Sequence, residues 1–309
     1  MSYEGEMLAQ LQMPSRQEVA EALLESLFRH NGTIKEFGEG EEIVDEISNK
    51  FKLSNEQRQA FLETVYRKEN RIKRSSLWHR LLFRAADLLA KENLVSRPTQ
   101  TARITDKREW MLTEKGFNTA LKLLNIPETQ KDILLTKSFE VQKIVNKLIK
   151  TPRPQNYNPF DETKKQVSIT RDTHLRTRGF RQAVIEAYDY KCAFCGIKIN
   201  SPDSLCWEVE AAHIVPHSSK GRDDIWNGIA LCRLHHWAFD VGWFSISNNF
   251  IVQISPRLNT LPTNFGKMGD FDFIRAFAKK KTRIFLPGQE EAHPHQNALT
   301  WHRENKFYT

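Results

Sequence analysis

The sequence has no uninterrupted apolar run of about eighteen residues, the length that a membrane-spanning helix requires. Its amino terminus lacks the basic and apolar regions of a secretory signal peptide, so we expect a cytoplasmic protein without a membrane partner. Internal repeats, low-complexity tracts and a glycine-rich phosphate loop are missing too. These absences argue against a bilayer protein, a repeat scaffold and a P-loop enzyme.

Cysteine is scarce, with only 4 among 309 residues. Four cysteines allow two disulfides, but a metal site is the better interpretation in a reducing compartment. Cys192 and Cys195 have the spacing of a zinc knuckle, and Cys232 and His235 supply a second pair. Three thiolates and one imidazole form the closed tetrahedral set that structural zinc prefers, so we predict a bound Zn²⁺. We interpret Cys206, outside this pattern, as a small buried apolar residue.

The charge balance is basic, with a formal net charge of +8 and a pI near 9.2. That balance favours an anionic partner, of which nucleic acid is the commonest. The length is sufficient for two domains with separate cores, and the proline-rich residues 151–160 indicate a connector between them. We therefore predict an N-terminal domain at residues 1–126, a helical arm and linker at residues 127–170, and a C-terminal domain at residues 171–309. Within the arm, residues 127–150 are expected to form one long helix.

Four residues that a nuclease needs stand among the zinc ligands: His213, Asn227, His236 and Asp240. They belong to the stretches Ala-Ala-His-Ile-Val-Pro, Asn-Gly-Ile-Ala-Leu-Cys and His-His-x-x-Phe-Asp. This order, framed by Cys-x2-Cys and Cys-x2-His, resembles the HNH endonuclease family, and in particular its restriction and phage-defence branch. The resemblance implies a ββα-metal module that cleaves phosphodiesters.

The resemblance implies a catalytic set of His213, Asn227 and His236. Histidine titrates near neutral pH and can deprotonate a water, so His213, in a strand-like apolar run, is the expected general base. His236 and Asp240 are four residues apart and share one face of a helix, where they can hold Mg²⁺ or another divalent ion. The amide of Asn227 is expected to brace the loop and His213 rather than to bind the ion.

One position departs from the family pattern. Many HNH proteins carry Asp or His directly before the base, whereas this chain has Ala212. Asp240 or Glu210 can supply the missing coordination, and His217 is an alternative ligand or phosphate contact. Exchange of the roles of His235 and His236 is also possible, although the Cys-x2-His spacing favours His235 as the zinc ligand.

The N-terminal domain is expected to be mainly helical. Helical periodicity covers residues 14–30, 41–50, 77–91 and 117–124. Between the last two helices, residues 94–96 and 109–116 predict a two-stranded ribbon with a polar tip, which completes a winged helix. Trp78, Glu92-Asn-Leu-Val and Trp110-Met-Leu-Thr-Glu-Lys-Gly resemble the Mrr-type N-terminal domain of restriction enzymes.

Basic residues of this domain are candidates for DNA contact, because the helix before a wing usually enters the major groove. The candidates are Lys73, Arg74, Arg80, Arg84 and Arg103, together with Arg176 and Arg178 at the start of the C-terminal domain. The alternative interpretation is a solvated basic face without a ligand.

We therefore expect an α+β protein with a winged-helix domain and an HNH module that contains structural zinc. The expected activity is metal-dependent cleavage of double-stranded DNA in restriction or phage defence. One HNH module cuts one strand, so a homodimer is expected for a double-strand break. The alternatives are a non-catalytic, zinc-containing DNA-binding regulator, which Ala212 favours, and a ribonuclease.

Overall fold

The computed structural model describes residues 3–38, 40–66, 71–131, 133–161, 171–260, 267–268, 271–272, 277 and 282–309. The chain divides into two compact units, Met1–Gln142 and Lys143–Thr309. No helix in the described part of the chain is both long enough and apolar enough to cross a membrane.

The first unit is mainly helical. Its elements in chain order are α1 (Tyr3–Gln10), α2 (Arg16–Arg29), β1 (Thr33–Ile34), α3 (Glu42–Lys50), α4 (Asn55–Gln59), β2 (Phe61–Tyr66), β3 (Arg71–Ser76), α5 (Leu77–Lys91), β4 (Val95–Ser96), α6 (Pro98–Thr105), β5 (Trp110–Leu112) and α7 (Glu114–Leu123). A helix that crosses into the second unit, α8 (Phe139–Lys150), follows a short 3-10 turn at Glu128–Gln130.

Helices α2 and α5 pack together in the core of the first unit. The first of them begins at a capping box, in which the Ser15 hydroxyl accepts the Glu18 N–H and the Glu18 carboxylate accepts the Ser15 N–H. Leu23 and Leu27 of α2 and Leu82 of α5 are at most 1% exposed. Full burial of each such side chain contributes about 1.5–3 kcal/mol, so this pair anchors the unit.

A three-stranded antiparallel sheet with the order β1-β5-β4 covers one side of these helices. Met111 of β5 pairs with Thr33 on one side and with Ser96 on the other, so the predicted ribbon is present. We expected a polar ribbon tip between β4 and β5. That prediction is wrong, because helix α6 lies there. Pro98 starts that helix and the buried Thr101 fixes it by a 2.9 Å hydrogen bond to Ser96.

Sequence reasoning missed a hairpin that precedes α5. Strands β2 and β3 pair over six residues each, from Phe61 opposite Ser76 to Tyr66 opposite Arg71. Its second strand contains Lys73 and Arg74, and the charged residues hide the alternation that marks a half-buried strand. The side chain of Lys73 lies outside the described residues.

The long helix expected over residues 127–150 is wrong, since the α-helix in this range begins only at Phe139 and a short 3-10 turn at Glu128–Gln130 precedes it. The preceding residues make tertiary contacts instead. The Lys137 N–H donates to the Asn31 carbonyl at 3.1 Å, and the Ser138 hydroxyl donates to Glu114 at 2.9 Å. These bonds satisfy the backbone N–H of Lys137 and the hydroxyl of Ser138 without a helix at those residues, so apolar periodicity alone overestimated the helix length.

The second unit contains the motif-bearing stretch. Its elements after α8 are α9 (Arg171–Ala187), β6 (Val209–His213), β7 (Gly228–Cys232), α10 (Arg233–Asp240), β8 (Phe244–Ile246), β9 (Val252–Ile254), β10 (Lys267–Met268), β11 (Phe271–Asp272) and α11 (Gln296–Asn305). Strands β6 and β7 form an antiparallel hairpin in which His213 lies opposite Gly228. Helix α10 begins directly after β7, so the order is strand, strand, helix.

A buried histidine of helix α11 contacts α10, the helix that contains His235 and His236. The imidazole of His302 stacks on Phe239 with ring centroids 3.6 Å apart, and its nitrogens contact the Ser245 hydroxyl and the Phe239 carbonyl. His302 is 2% exposed. Burial, reinforced by the charges of Lys306 and Arg303, lowers the pKa of His302 from 6.5 to about 3.

This buried histidine predicts an acid-labile second unit. Since the folded pKa of His302 lies below the unfolded value, its contribution to the free energy of unfolding is complete above about pH 6.5 and is lost as the pH falls toward 3. We expect up to about 1.4 kcal/mol lost per pH unit in that window. Chemical denaturation of the wild type and of His302→Gln, which cannot titrate, measures the difference in slope. Equal slopes for the two proteins would contradict the assignment.

Candidate active site

The four predicted zinc ligands converge. The ligand atoms of Cys192, Cys195, Cys232 and His235 all lie within 4.8 Å of one another. Nδ1 of His235 is 3.0 Å from Sγ of Cys232 and 3.8 Å from Sγ of Cys192. All the cysteines are free thiols. Three soft sulfur donors and one imidazole at these separations fit tetrahedral zinc.

Aromatic rings cover one side of the Cys192, Cys195, Cys232 and His235 cluster. Phe194, between the first two cysteines, stacks on the His235 ring with centroids 4.0 Å apart. The ring of Phe277 lies 5.2 Å from the same imidazole. Cys206, expected to be a buried apolar residue, is only half-buried and stays outside the cluster. An apolar wall of this kind keeps water away from the donor atoms.

Mutual hydrogen bonds shift the proton affinities inside the cluster. Contacts with Cys195 and Cys232 lower the pKa of the Cys192 thiol. Burial acts to lower the pKa of His235, but hydrogen bonds with Cys192 and Cys195 outweigh it and raise that pKa. The low proton affinity of a thiol in the cluster favours the thiolate, which is the form that binds metal.

His213 closes strand β6 beside a carboxylate. Its Nε2 lies 3.0 Å from Oδ1 of Asp223, and Nε2 of His217 lies 2.9 Å from the same oxygen. The ring of Phe180 stacks on the His213 imidazole with centroids 4.1 Å apart. Because an ionised carboxylate only accepts hydrogen bonds, Nε2 of His213 carries the proton, and in the neutral ring Nδ1 carries the lone pair.

The fully buried Asn227 holds the loop between β6 and β7. Its Oδ1 accepts the Val215 N–H at 2.8 Å, and its Nδ2 donates to the carbonyls of Val215 and Arg222, both at 2.9 Å. The loop passes so close to itself at Gly221 that an added Cβ would lie 1.7 Å from the Val215 carbonyl oxygen. Both features fix the segment that contains Asp223.

His236, in the second turn of α10, lies between two carboxylates. Its Nδ1 is 2.8 Å from Oε2 of Glu210, and its Nε2 is 3.5 Å from Oδ2 of Asp240. The hydrogen bond to His236 lowers the pKa of Glu210. Burial opposes protonation of His236, but the contact with Glu210 and the charge of Asp240 raise its pKa. An ionised Glu210 requires the proton on Nδ1, so Nε2 is the nitrogen available as a ligand.

His236 and His213 both affect the pKa of the Asp240 carboxyl group. Burial raises the pKa of Asp240, while the charges of His236, Lys306 and His213 act to lower it. Asp240 therefore lies within the electrostatic reach of both imidazoles.

Two donor groups suit a divalent ion by their nitrogen and oxygen chemistry. One is the pair His236 Nε2 and Asp240 Oδ2, with Glu210 orienting the imidazole from behind. The other is His213, His217 and Asp223, whose ligand atoms lie within 4.8 Å of one another.

Asp223 was not predicted as a site residue from the sequence. The only available signal was an acidic residue, Asp223 of Arg222-Asp-Asp224, between His217 and Asn227. The acid lies 10 residues beyond His213 and comes near it only because the loop folds back. Glu210 was left open because a regular strand points residues 210 and 213 to opposite faces, and in the structure the Glu210 carboxylate contacts His236.

The basic residues expected to contact DNA have different surroundings. Arg103 and Arg176 are exposed, and the Arg74 guanidinium lies 4.4 Å from the centroid of the Phe61 ring. Arg178 is only 5% exposed, which argues against a surface contact with phosphate.

Arg80 and Arg84 both pair with a carboxylate from the start of the chain. Arg80 Nη2 lies 2.9 Å from Oε2 of Glu4, and Arg84 Nε lies 2.6 Å from Oε1 of the same residue. Part of the charge that was expected to meet DNA is therefore compensated within the unit.

Removal of one thiol tests the zinc assignment. We expect Cys192→Ser to lose the bound zinc and to lower the melting temperature of the second unit by more than about 10 °C, because the ion contributes folding free energy. Metal content by atomic absorption and thermal melts by circular dichroism measure the two effects. Cys206→Ser, whose thiol lies outside the cluster, is the matched control and keeps the zinc. A full zinc complement in Cys192→Ser would refute the assignment.

Comparison with known proteins agrees with this geometry. The HNH endonuclease family model matches residues 192–247, which contain both the four-donor cluster and the two histidine groups. No curated protein matches the chain significantly. Among solved structures, the "Modification dependent TagI restriction endonuclease" is similar over 40% of this chain and 36% of its own length, with 19% identity and a TM-score of 0.29, a likeness too low to establish a shared fold. Residues 192–247 therefore match an HNH endonuclease domain.

Proposed function

We propose that this endonuclease hydrolyses double-stranded DNA with His213 as the general base and a divalent ion held by His236 and Asp240. The observation that carries the proposal is the pair of carboxylate-held imidazoles, His213 on Asp223 and His236 on Glu210, with Asp240 beside the second ring. In this proposal, Nδ1 of His213 accepts a proton and Nε2 of His236 binds the ion at the same phosphate.

His213 supplies the proton acceptor. With the proton of its ring fixed on Nε2 by Asp223, Nδ1 is the atom that takes a proton from the attacking water. The stacked Phe180 and the carboxylate limit rotation of the imidazole, so its acceptor atom stays oriented. Asp223 acts on the reaction only through His213 and is a positioning residue.

His236 and Asp240 supply the ligands for the ion. Glu210 fixes the tautomer that leaves Nε2 of His236 for coordination, as carboxylates do behind many metal-binding histidines. When bound, the ion supplies Lewis-acid and template chemistry at the phosphate and the departing 3′ oxygen. Glu210 thus takes over an orienting role near the position where the family pattern has a ligand and this chain has Ala212.

The basic balance supports DNA as the substrate, with a formal net charge of +8. A winged helix in the first unit is supported by the strand order β1-β5-β4 and by the helix α5 before β4. Helix α6 in the wing and the β2–β3 hairpin depart from the simplest form of that fold. The residues proposed to contact phosphate are the exposed Arg74, Arg103 and Arg176.

The proposed biological role is restriction of foreign DNA or phage defence, carried out by a homodimer because one HNH module cuts one strand. A zinc-containing DNA-binding regulator is the alternative that Ala212 favours. Its distinguishing behaviour is DNA binding without cleavage under every divalent metal, and cleavage of labelled RNA instead of DNA distinguishes a ribonuclease.

Loss of the base tests the mechanism. We expect His213→Ala to cut plasmid about 10²–10⁴ times more slowly with Mg²⁺ or Mn²⁺, because general-base catalysis contributes that much. Conversion of supercoiled plasmid to nicked and linear forms measures the rate. His174→Ala, an exposed histidine substitution on α9, is the matched control and keeps the wild-type rate. Equal rates for His213→Ala and the control would overturn the role of His213.

A second pair of variants separates the two donor groups. We expect Asp223→Asn to lower kcat by at least about 10-fold with KM unchanged, since the base loses its orientation. Asp223→Glu restores part of that rate, and calorimetric titration of Asp223→Asn with Mn²⁺ shows wild-type affinity. Loss of Mn²⁺ binding in both Asp223→Asn and His217→Ala, with binding retained in His236→Ala, would place the ion on the other donor group.

A further inference from the structure

The first unit contains a cavity of about 840 Å³ that the nuclease chemistry does not use. Its walls come from α5, from the segment after β1 and from the approach to β5. Pockets that hold small ligands have volumes of about 300–1,000 Å³. The cavity is therefore large enough for a single nucleotide.

Aromatic rings form one side of this cavity. Phe83 of α5 is 57% exposed although it is large and apolar. Its ring meets the ring of Trp110 edge to face, with centroids 5.7 Å apart and an interplanar angle of 80°. The ring centroid of Phe37 lies 6.2 Å from that of the buried Trp110, so Phe37 extends the aromatic side of the cavity. An exposed phenylalanine supported by two buried rings is a rigid platform on which a flat group can stack.

Cations surround the aromatic platform. Lys35 and Arg108 line the cavity, are exposed, and form no ion pair with a carboxylate in the described part of the chain. Arg80 lines it too, and its buried Nε has no hydrogen-bond partner among the described atoms.

The acidic residues of the cavity do not cancel this charge. Glu36 and Asp87 are the carboxylates among the lining residues. Asp87 already pairs with Arg97 at 2.6 Å and with Lys91 at 3.1 Å, so it is compensated from outside the cavity. Arg80 and Arg84 share the carboxylate of Glu4, and the remaining lining cations Lys35 and Arg108 outnumber Glu36.

We propose that this cavity binds one nucleotide, with its base stacked on Phe83 and its phosphate at Arg108 and Lys35. Stacking on aromatic side chains together with cationic contacts to phosphate is the usual chemistry of nucleotide capture. The nucleotide comes either from a duplex, by extrusion from the base stack, or from solution as a free mononucleotide. The first source rests on the proposed DNA substrate, and the second does not.

Two binding measurements separate these sources. Both use full-length His213→Ala protein with zinc retained, so that cleavage does not remove the ligand. Calorimetric titration with the four deoxynucleoside 5′-monophosphates detects the free nucleotide. A set of duplexes, each with 2-aminopurine at one successive position, detects extrusion as a rise in fluorescence.

We expect a signal in at least one measurement, and at least a 10-fold loss of affinity in Phe83→Ala and in Arg108→Ala. Leu123→Ala and Lys122→Ala on α7 are matched controls outside the cavity lining and keep the signal. Both pocket substitutions are at exposed side chains, so circular dichroism should show an intact fold. A signal in neither measurement, or one unchanged in both pocket variants, would overturn the proposal.

The outcome is independent of the cleavage assay. If plasmid is cut but no Phe83-dependent binding occurs, the nucleotide site fails and the nuclease mechanism stands. If mononucleotides bind in a Phe83-dependent way but no plasmid is cut under any metal, the nucleotide site stands and the proposed DNA cleavage fails.

Discussion

The four-donor cluster of Cys192, Cys195, Cys232 and His235 sets the geometry on which the proposed catalytic side chains depend. Cys232 is the last residue of β7, and His235 lies in the first turn of α10. Because both belong to the cluster, the cluster fixes the orientation of α10 relative to the β6–β7 hairpin. Consecutive helical residues are rotated by about 100°, so His235 faces the cluster while His236 faces Glu210.

Carboxylates hold both imidazoles outside that cluster. Asp223 contacts the His213 ring and Glu210 contacts the His236 ring, at 3.0 and 2.8 Å. Each carboxylate selects the ring nitrogen that carries the proton and leaves the other nitrogen for chemistry or coordination. In the proposed mechanism, the same type of contact prepares one histidine to accept a proton and the other to bind a cation. The difference between them comes from their neighbours, because Asp240 faces only the second ring directly.

Local patterns predicted the motif-bearing part of the chain well. Cys-x2-Cys and Cys-x2-His are short spacings, and the ligands they predicted do converge. The order of two strands and a helix was implied by the family resemblance of the same stretch, and the ribbon β4–β5 was recognised from its apolar runs. Reasoning from periodicity failed where tertiary contacts competed with it, as in the segment before α8 and in the hairpin before α5.

The sequence by itself determined which chemistry is present: the zinc-type donors, the histidine-rich helix, the general-base candidate and the basic balance. Only the tertiary structure decided the partners of those groups. Asp223 reaches His213 through a folded loop, Glu4 reaches Arg80 across 76 residues, and Arg178 turns into the core. The physical reason is that residue type and local spacing specify donors and periodic faces, whereas pairing between distant residues depends on how elements pack. The aromatic cavity beside α5 has the same origin, since its rings come from three separate segments of the chain.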